Sequence, residues 1–253
     1  MPILEIDNCI KTFGGLVAVK DLNMILNQGD LYGLIGPNGA GKTTIFNLIT
    51  GVYKPDEGTI KLEGKEIQGM KPSSIATLGI SRTFQNIRLF QSMTVLENVK
   101  LARHMRRSQK LFDAVLHTHG LHQEEEEIEK DALELLKIFK LDKLAFELAN
   151  NLPYGSQRRL EIARGLATKP KVLLLDEPAA GMNPHEASEL MHLIRWIRDE
   201  FHITILLVEH NMKVVMGVCE KIQCIDYGET IAIGTPKEVQ DDPRVIEAYL
   251  GGA

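Results

Sequence analysis

Eight consecutive residues, Gly36-Pro37-Asn38-Gly39-Ala40-Gly41-Lys42-Thr43, have the types and spacing that phosphate chemistry asks for. They fit G-x-x-x-x-G-K-[ST] without a gap. An apolar run (Leu31, Tyr32, Leu34, Ile35) precedes them and Thr44-Ile45-Phe46-Asn47-Leu48-Ile49 follows. This is the strand–loop–helix setting in which the motif has meaning. Glycines let backbone N–H groups turn inward around phosphate oxygens, where a Cβ would clash. A helix starting near Lys42 aims its positive end at the same point. Lys42 can reach the β- and γ-phosphates, and the Thr43 hydroxyl is placed to ligate Mg²⁺. The expectation is a nucleotide site over Gly36 to Thr44; a plain glycine-rich turn would leave both flanks to chance.

Two further groups sit where such a site needs them. Leu173-Leu174-Leu175 delivers Asp176 and Glu177 to a strand's carboxyl end, where ligands gather in open α/β sheets. Adjacent carboxylates there call for a counter-ion, and Mg²⁺ on a bound nucleotide supplies one. Asp176 then ligates the metal, while Glu177 is free to polarise an attacking water. His210 ends the next strand, after Val208-Glu209, and from the same sheet edge can donate to a γ-phosphate oxygen. An ordinary turn for Asp176-Glu177-Pro178 and a structural role for His210 are the plainer alternatives. Gln85 carries little information by itself, and Phe13, beside Gly14-Gly15, reads as core.

The stretch Leu152-Pro153-Tyr154-Gly155-Ser156-Gln157-Arg158-Arg159-Leu160-Glu161-Ile162-Ala163-Arg164 reads as a loop into a helix, with Leu160, Ala163 and Leu166 on one face. A polar, glycine-containing helix N-terminus is a second anion site. A chain with one complete phosphate loop needs no second site for the same nucleotide. Its simplest use is to cap the nucleotide of another copy.

The elements that must position these residues follow from hydrophobic patterning. Residues Ile3 to Ile25 alternate in short runs and read as antiparallel strands. Asn27 to Asp30 turns the chain into the strand before the phosphate loop, and Gly51 to Gly69 holds small turns and a strand at Thr59 to Leu62. Lys171 to Leu175 and Ile203 to Val208 read as apolar runs, as parallel strands buried on both faces should be. Helices are expected through Ala187 to Asp199, from Met212 to Cys219, and as one terminal helix from Pro236 to Leu250. Between Ser92 and Leu152 the apolar residues recur at helical spacing. There a basic stretch (Arg103 to Lys110) and an acidic block (Glu124 to Glu127) read as solvated helix faces, with contact to a charged partner the lesser reading. The expectation is an α/β phosphate-loop core over 1–91 and 165–253, with mostly parallel strands and an N-terminal antiparallel β-subdomain. A helical subdomain over 92–164 is inserted into it.

Length and composition agree with this. The 253 residues are 44% hydrophobic, enough for a real core. A net charge of -5 gives no sign of a nucleic-acid surface. Cys9, Cys219 and Cys224 lack disulfide or metal-ligand spacing and read as small buried hydrophobes of a reducing compartment. Glu5 and Asp7 interrupt the first apolar stretch, so no secretory signal is read there, and no apolar run has the length of a membrane span. A membrane role would have to come through a partner.

In this order, the phosphate loop, Gln85, LPYGSQRRLEIARGLA, KVLLLDEP and VEH resemble an ABC-transporter ATPase cassette over essentially the whole chain. GISRTFQNIRLFQSMTVLENV, LPYGSQRR, DEPAAGMNP and the extra helical residues around 103 to 130 are similar to the ATP-binding subunit of branched-chain amino acid importers. The resemblance implies two cassettes sandwiching two ATP molecules head to tail. Phe13 would stack on adenine. Gln85 would sense the γ-phosphate and Mg²⁺ and relay to membrane subunits through Asn86 to Phe90. Glu177 would be the base, His210 the γ-phosphate clamp, and Gly155, Ser156 and Gln157 the contact to the partner's nucleotide.

Two departures stand out against the superfamily pattern. Pro153 and Tyr154 replace the Ser and first Gly of LSGGQ, so backbone N–H groups at Gly155 and Ser156 and the helix dipole must carry that contact. Asn183 replaces an Asp in the loop after Glu177. The reading is an ATP-hydrolysing motor subunit on the cytoplasmic face of the cell membrane, with ATP and Mg²⁺. Its partners would be permease subunits, a second cassette (paralogue or self) and, indirectly, an extracytoplasmic solute-binding protein. An exporter of lipid or polysaccharide is the alternative. A non-transport ABC ATPase fits less well, because the chain has one cassette and no sustained heptads, and a soluble kinase leaves LPYGSQRR without a use.

Overall fold

A computed structural model describes residues 2–105 and 118–250 and divides the chain into two compact units, 1–82 with 171–253 and 83–170. Hydrophobic patterning alone puts the inner bounds at 92 and 164.

The first unit holds two sheets. β1 (Pro2–Phe13) and β2 (Leu16–Asn27) pair antiparallel, β4 (Glu57–Leu62) pairs with β1, and β5 (Lys65–Glu66) follows, in the order β2-β1-β4-β5. The second sheet contains β3 (Leu31–Ile35), β6 (Ile80–Arg82), β7 (Val172–Asp176), β8 (Thr204–Val208), β9 (Lys221–Asp226) and β10 (Glu229–Gly234). Its order is β10-β9-β3-β8-β7-β6, parallel except for the β9–β10 pair. Every residue of β3, β7 and β8 is buried, as strands covered on both faces require. Ile6, Leu22 and Leu26 of the antiparallel sheet share one core with Leu34, Leu174 and Leu206 of the other. Ile45 and Phe46 join it from α1 (Lys42–Ile49). That burial fixes the axis of α1, and so fixes the loop that precedes it.

Helices α2 (Pro72–Leu78), α6 (Pro184–Phe201) and α7 (Met212–Val218) complete the connections of this unit. The C-terminal segment differs from the single helix expected. α8 (Pro236–Asp241) and α9 (Pro243–Leu250) are separated at Asp242, whose ψ of 121° is extended. The ring of Pro243 disfavours helical backbone at the preceding residue, which a reading of periodicity alone overlooks.

The second unit is helical: α3 (Val95–Met105), α4 (Thr118–Ile138) and α5 (Tyr154–Ala167) pack on one another. Val95 and Val99, Ile128 and Leu136, and Leu160 and Ala163 are buried. Glu125, Glu126 and Glu127 of the acidic block are exposed, as expected of a solvated face, but α3 and α4 also pair by charge. Lys100 lies 2.8 Å from Glu125 and 2.9 Å from Glu129, and Arg103 pairs with Asp131. Residues 106–110 of the basic stretch lie outside the described residues. Among the described residues no helix is long and apolar enough to cross a membrane.

Candidate nucleotide site

The phosphate loop lies between β3 and α1, and its backbone admits only glycine at two points. Gly36 has φ +152°, and an added Cβ would run into the carbonyl oxygen of Ile225. Gly41, φ +107°, would meet the carbonyl of Ala18 in the same way. The turn after β9 braces the loop from below, with Gly228 N donating to Ala40 O at 2.9 Å. The helix has no side-chain cap at Gly41, so its first-turn N–H groups and its dipole serve the loop. Asn38, Gly39 and Thr43 are exposed on this face, Pro37 and Thr44 partly so.

Lys42 is buried and its Nζ donates to Gly36 O at 2.7 Å and Pro37 O at 2.8 Å. Burial pulls its ammonium below the ordinary lysine value, and the carboxylates of Glu177 and Asp176 oppose that shift. The structure thus places the three charged residues predicted from sequence within one electrostatic field. Asp176 and Val208 are partners across the parallel β7–β8 pair, so Glu177 and His210 emerge at the same sheet edge. His210 Nδ1 stands 3.3 Å from Glu177 Oε1. Glu177 has φ +47°, a left-handed conformation a non-glycine residue holds only under constraint, and its N–H donates to Val208 O at 2.9 Å.

Arg82, which sequence reasoning missed, is the protein's own counter-ion for Asp176. Its Nη2 lies 2.8 Å from Asp176 Oδ2, and its Nη1 donates to Asn47 Oδ1 on α1 at 2.7 Å. Its residue type was visible, but nothing in its spacing pointed to a strand edge shared with Asp176. Asn183 caps α6: its side chain accepts from His185 N and Glu186 N, both at 3.0 Å. Phe13 departs from the core reading. It is 41% exposed and meets Tyr53 edge-on at 5.1 Å, because it ends β1 where the sheet reaches solvent.

In the helical unit, Gln85 is exposed, and its backbone is gripped by the wholly buried Arg158. Arg158 donates to Phe84 O at 2.6 Å, Gln85 O at 2.7 Å and Glu161 at 2.9 Å. Glu161 in turn accepts from Phe84 N and Arg88 N. The structure therefore brings Gln85 to the helix that begins with Gly155, Ser156 and Gln157. Pro153 precedes that helix without a side-chain cap, as an anion site requires. Ser156 N turns back to Pro153 O at 2.9 Å, and Gln157 Nε2 donates to Leu152 O at 2.8 Å.

Residues 19–180 match the ABC transporter family. The chain belongs to that family. Residues 229–253 match the branched-chain amino acid ATP-binding cassette transporter family. The cassette is 46% identical to the high-affinity branched-chain amino acid transport ATP-binding protein LivG of Salmonella typhimurium, over 100% of this chain and 99% of that one. Its fold matches the crystal structure of the ADP conformation of an ATP-binding cassette of an ABC transporter, with TM-score 0.86, 35% identity and 99% of each chain covered. It also matches the dimeric post-hydrolysis state of a cassette bound to ADP and phosphate, with TM-score 0.78 and 27% identity over 92% of this chain and 98% of that one.

Proposed function

We propose that this cassette is the ATP-hydrolysing motor subunit of an importer for branched-chain amino acids, held at the cytoplasmic face of the cell membrane by permease subunits. The observation that carries the reading is the full-length likeness to LivG, which extends through the C-terminal segment. An extracytoplasmic solute-binding protein would deliver the solute. The exporter alternative has no observation in its favour.

Within the site, backbone N–H groups of Gly36 to Thr44 bind the phosphates and Lys42 neutralises the charge that gathers on the γ-phosphate. Glu177 orients the attacking water and accepts its proton, while His210 steadies Glu177 and donates to a γ-phosphate oxygen. Phe13, with Tyr53 at its edge, carries the adenine. The oxygen donors of Thr43 and Asp176 suit a hard cation, and the Glu177 carboxylate adds negative charge beside them that Arg82 leaves unbalanced. Mg²⁺ bound there supplies charge neutralisation on the β- and γ-phosphates. The start of α5 serves the nucleotide of a second cassette, in the head-to-tail pair the resemblance implies. It does so through Gly155, the helix dipole and the Ser156 and Gln157 side chains, since Ser156 N and Gln157 N turn back to Pro153 O.

The test is a pull-down of tagged protein from detergent-solubilised membranes of its source cell. Co-purification of multi-span permease subunits and a second cassette is expected. Recovery of ribosomal proteins, or of no membrane subunit, would overturn the importer reading.

A further inference from the structure

We propose that Glu209 is a positioning residue for the reacting pair. Its buried carboxylate ties the turn that carries Glu177 to the turn that carries His210. The inference rests on the roles proposed above for those two residues.

Glu177 and His210 stand on different loops, one after β7 and one after β8, and their side chains must meet to within a hydrogen-bond length. Parallel pairing holds the strands only as far as Asp176 and Val208. Beyond that point Glu209, 1% exposed, reaches both turns with its side chain. Its Oε1 accepts from Ala179 N at 2.8 Å, two residues past Glu177. Its Oε2 lies 3.3 Å from Asn211 N, next to His210. Each end is anchored in turn. Ala180 N donates to Glu177 O and Met182 N to Ala179 O, both at 3.1 Å, which closes the first turn. The Asn211 side chain accepts from Lys213 N at 3.1 Å and caps α7.

Two physical facts say this arrangement is not incidental packing. A carboxylate is costly to bury, and burial does push the Glu209 carboxyl up from its ordinary range, with Glu177 adding to the shift. The two backbone N–H groups and His210 pull it back. An apolar side chain would fill the space without that cost, but would orphan the N–H of Ala179. Second, the left-handed backbone of Glu177 persists only where its surroundings over-determine it. A carboxylate, with two acceptor oxygens, can hold both turns at once; an amide has one.

The experiment compares steady-state ATP hydrolysis and equilibrium ATP binding for the purified full chain and for Glu209→Ala, Glu209→Gln and Glu177→Gln. Glu209→Ala is expected to lose about 100-fold in kcat, the cost of misplacing a reacting group by about an ångström, with KM for ATP unchanged. Glu209→Gln keeps one acceptor and the shape, so it should fold and fall between Ala and the parent. Equal kcat for both Glu209 variants and the parent would overturn the proposal. So would a weakened ATP affinity with kcat retained, which is what a purely structural residue would give. Glu177→Gln separates the two ideas. If it is inactive while both Glu209 variants turn over normally, only the positioning role fails; if it turns over normally, the assignment of the base fails and the positioning role with it.

Discussion

Arg82 meets Asp176 at 2.8 Å, with both side chains only 6% exposed. The same guanidinium reaches Asn47 on α1 and lies over the Phe46 ring at 5.3 Å. One cation thus links the helix of the phosphate loop to the strand that carries the carboxylates.

Removing that cation leaves a buried carboxylate short of a partner. Arg82→Met should destabilise the fold by about 3 kcal/mol. For a chain of this size that is a drop in Tm of roughly 10 °C, read by calorimetry. Mg²⁺ with nucleotide should recover part of the loss, because a cation on Asp176 replaces the missing charge. A Tm unchanged without nucleotide would show that the pair contributes nothing.

The glycines of the phosphate loop are not equivalent. Gly36→Ala would drive its Cβ into the Ile225 carbonyl, while an added Cβ at Gly39, φ +83°, has no atom within 4 Å. Gly39→Ala should therefore cost about 1–2 kcal/mol of backbone strain alone. Gly36→Ala should cost clearly more and abolish ATP binding. Denaturant midpoints and ATP titrations of the two variants check the ranking.

The three thiols should be inert in the folded protein. Burial pushes Cys9 up to about 11 and Cys219 and Cys224 up to about 12. At pH 8 they hold their protons, and alkylation needs the thiolate. Iodoacetamide should label none of them until denaturant is added, as intact mass shows. The sign of the linkage follows: above about pH 9 unfolded thiols ionise while folded ones do not, so these groups lower stability as pH rises toward 12.

The start of α5 serves a second copy in this account, so turnover should need pairs. Activity per subunit should fall on dilution below the dimer's dissociation constant, followed by phosphate release alongside light scattering. Constant activity down to a fully monomeric solution would contradict the pairing.

Most of the fold was legible because its signals are local. Buried parallel strands at Val172 and Thr204 read as unbroken apolar runs, and the loop from Gly36 to Thr43 declares itself by residue type and spacing. What escaped the sequence depends on contacts distant along the chain. Arg82 finds Asp176, and Glu209 finds Ala179, only when the sheet is assembled. Arg158 and Glu161, which patterning does not assign to the apolar face of Leu160 and Ala163, are buried, 0% and 2% exposed, because the chain at Phe84 to Arg88 folds over them. Phe13 lost its place in the core because it stands at a strand end, and the terminal helix was split by Pro243.

The central claim is that Glu177 directs water at a nucleotide held by the loop around Lys42. The most direct measurement is phosphate release and ATP affinity of Glu177→Gln, side by side with the parent chain. The account predicts ATP affinity within about twofold and turnover lower by about 100-fold or more, the contribution of a general base. Phosphate release near the parent rate would contradict it.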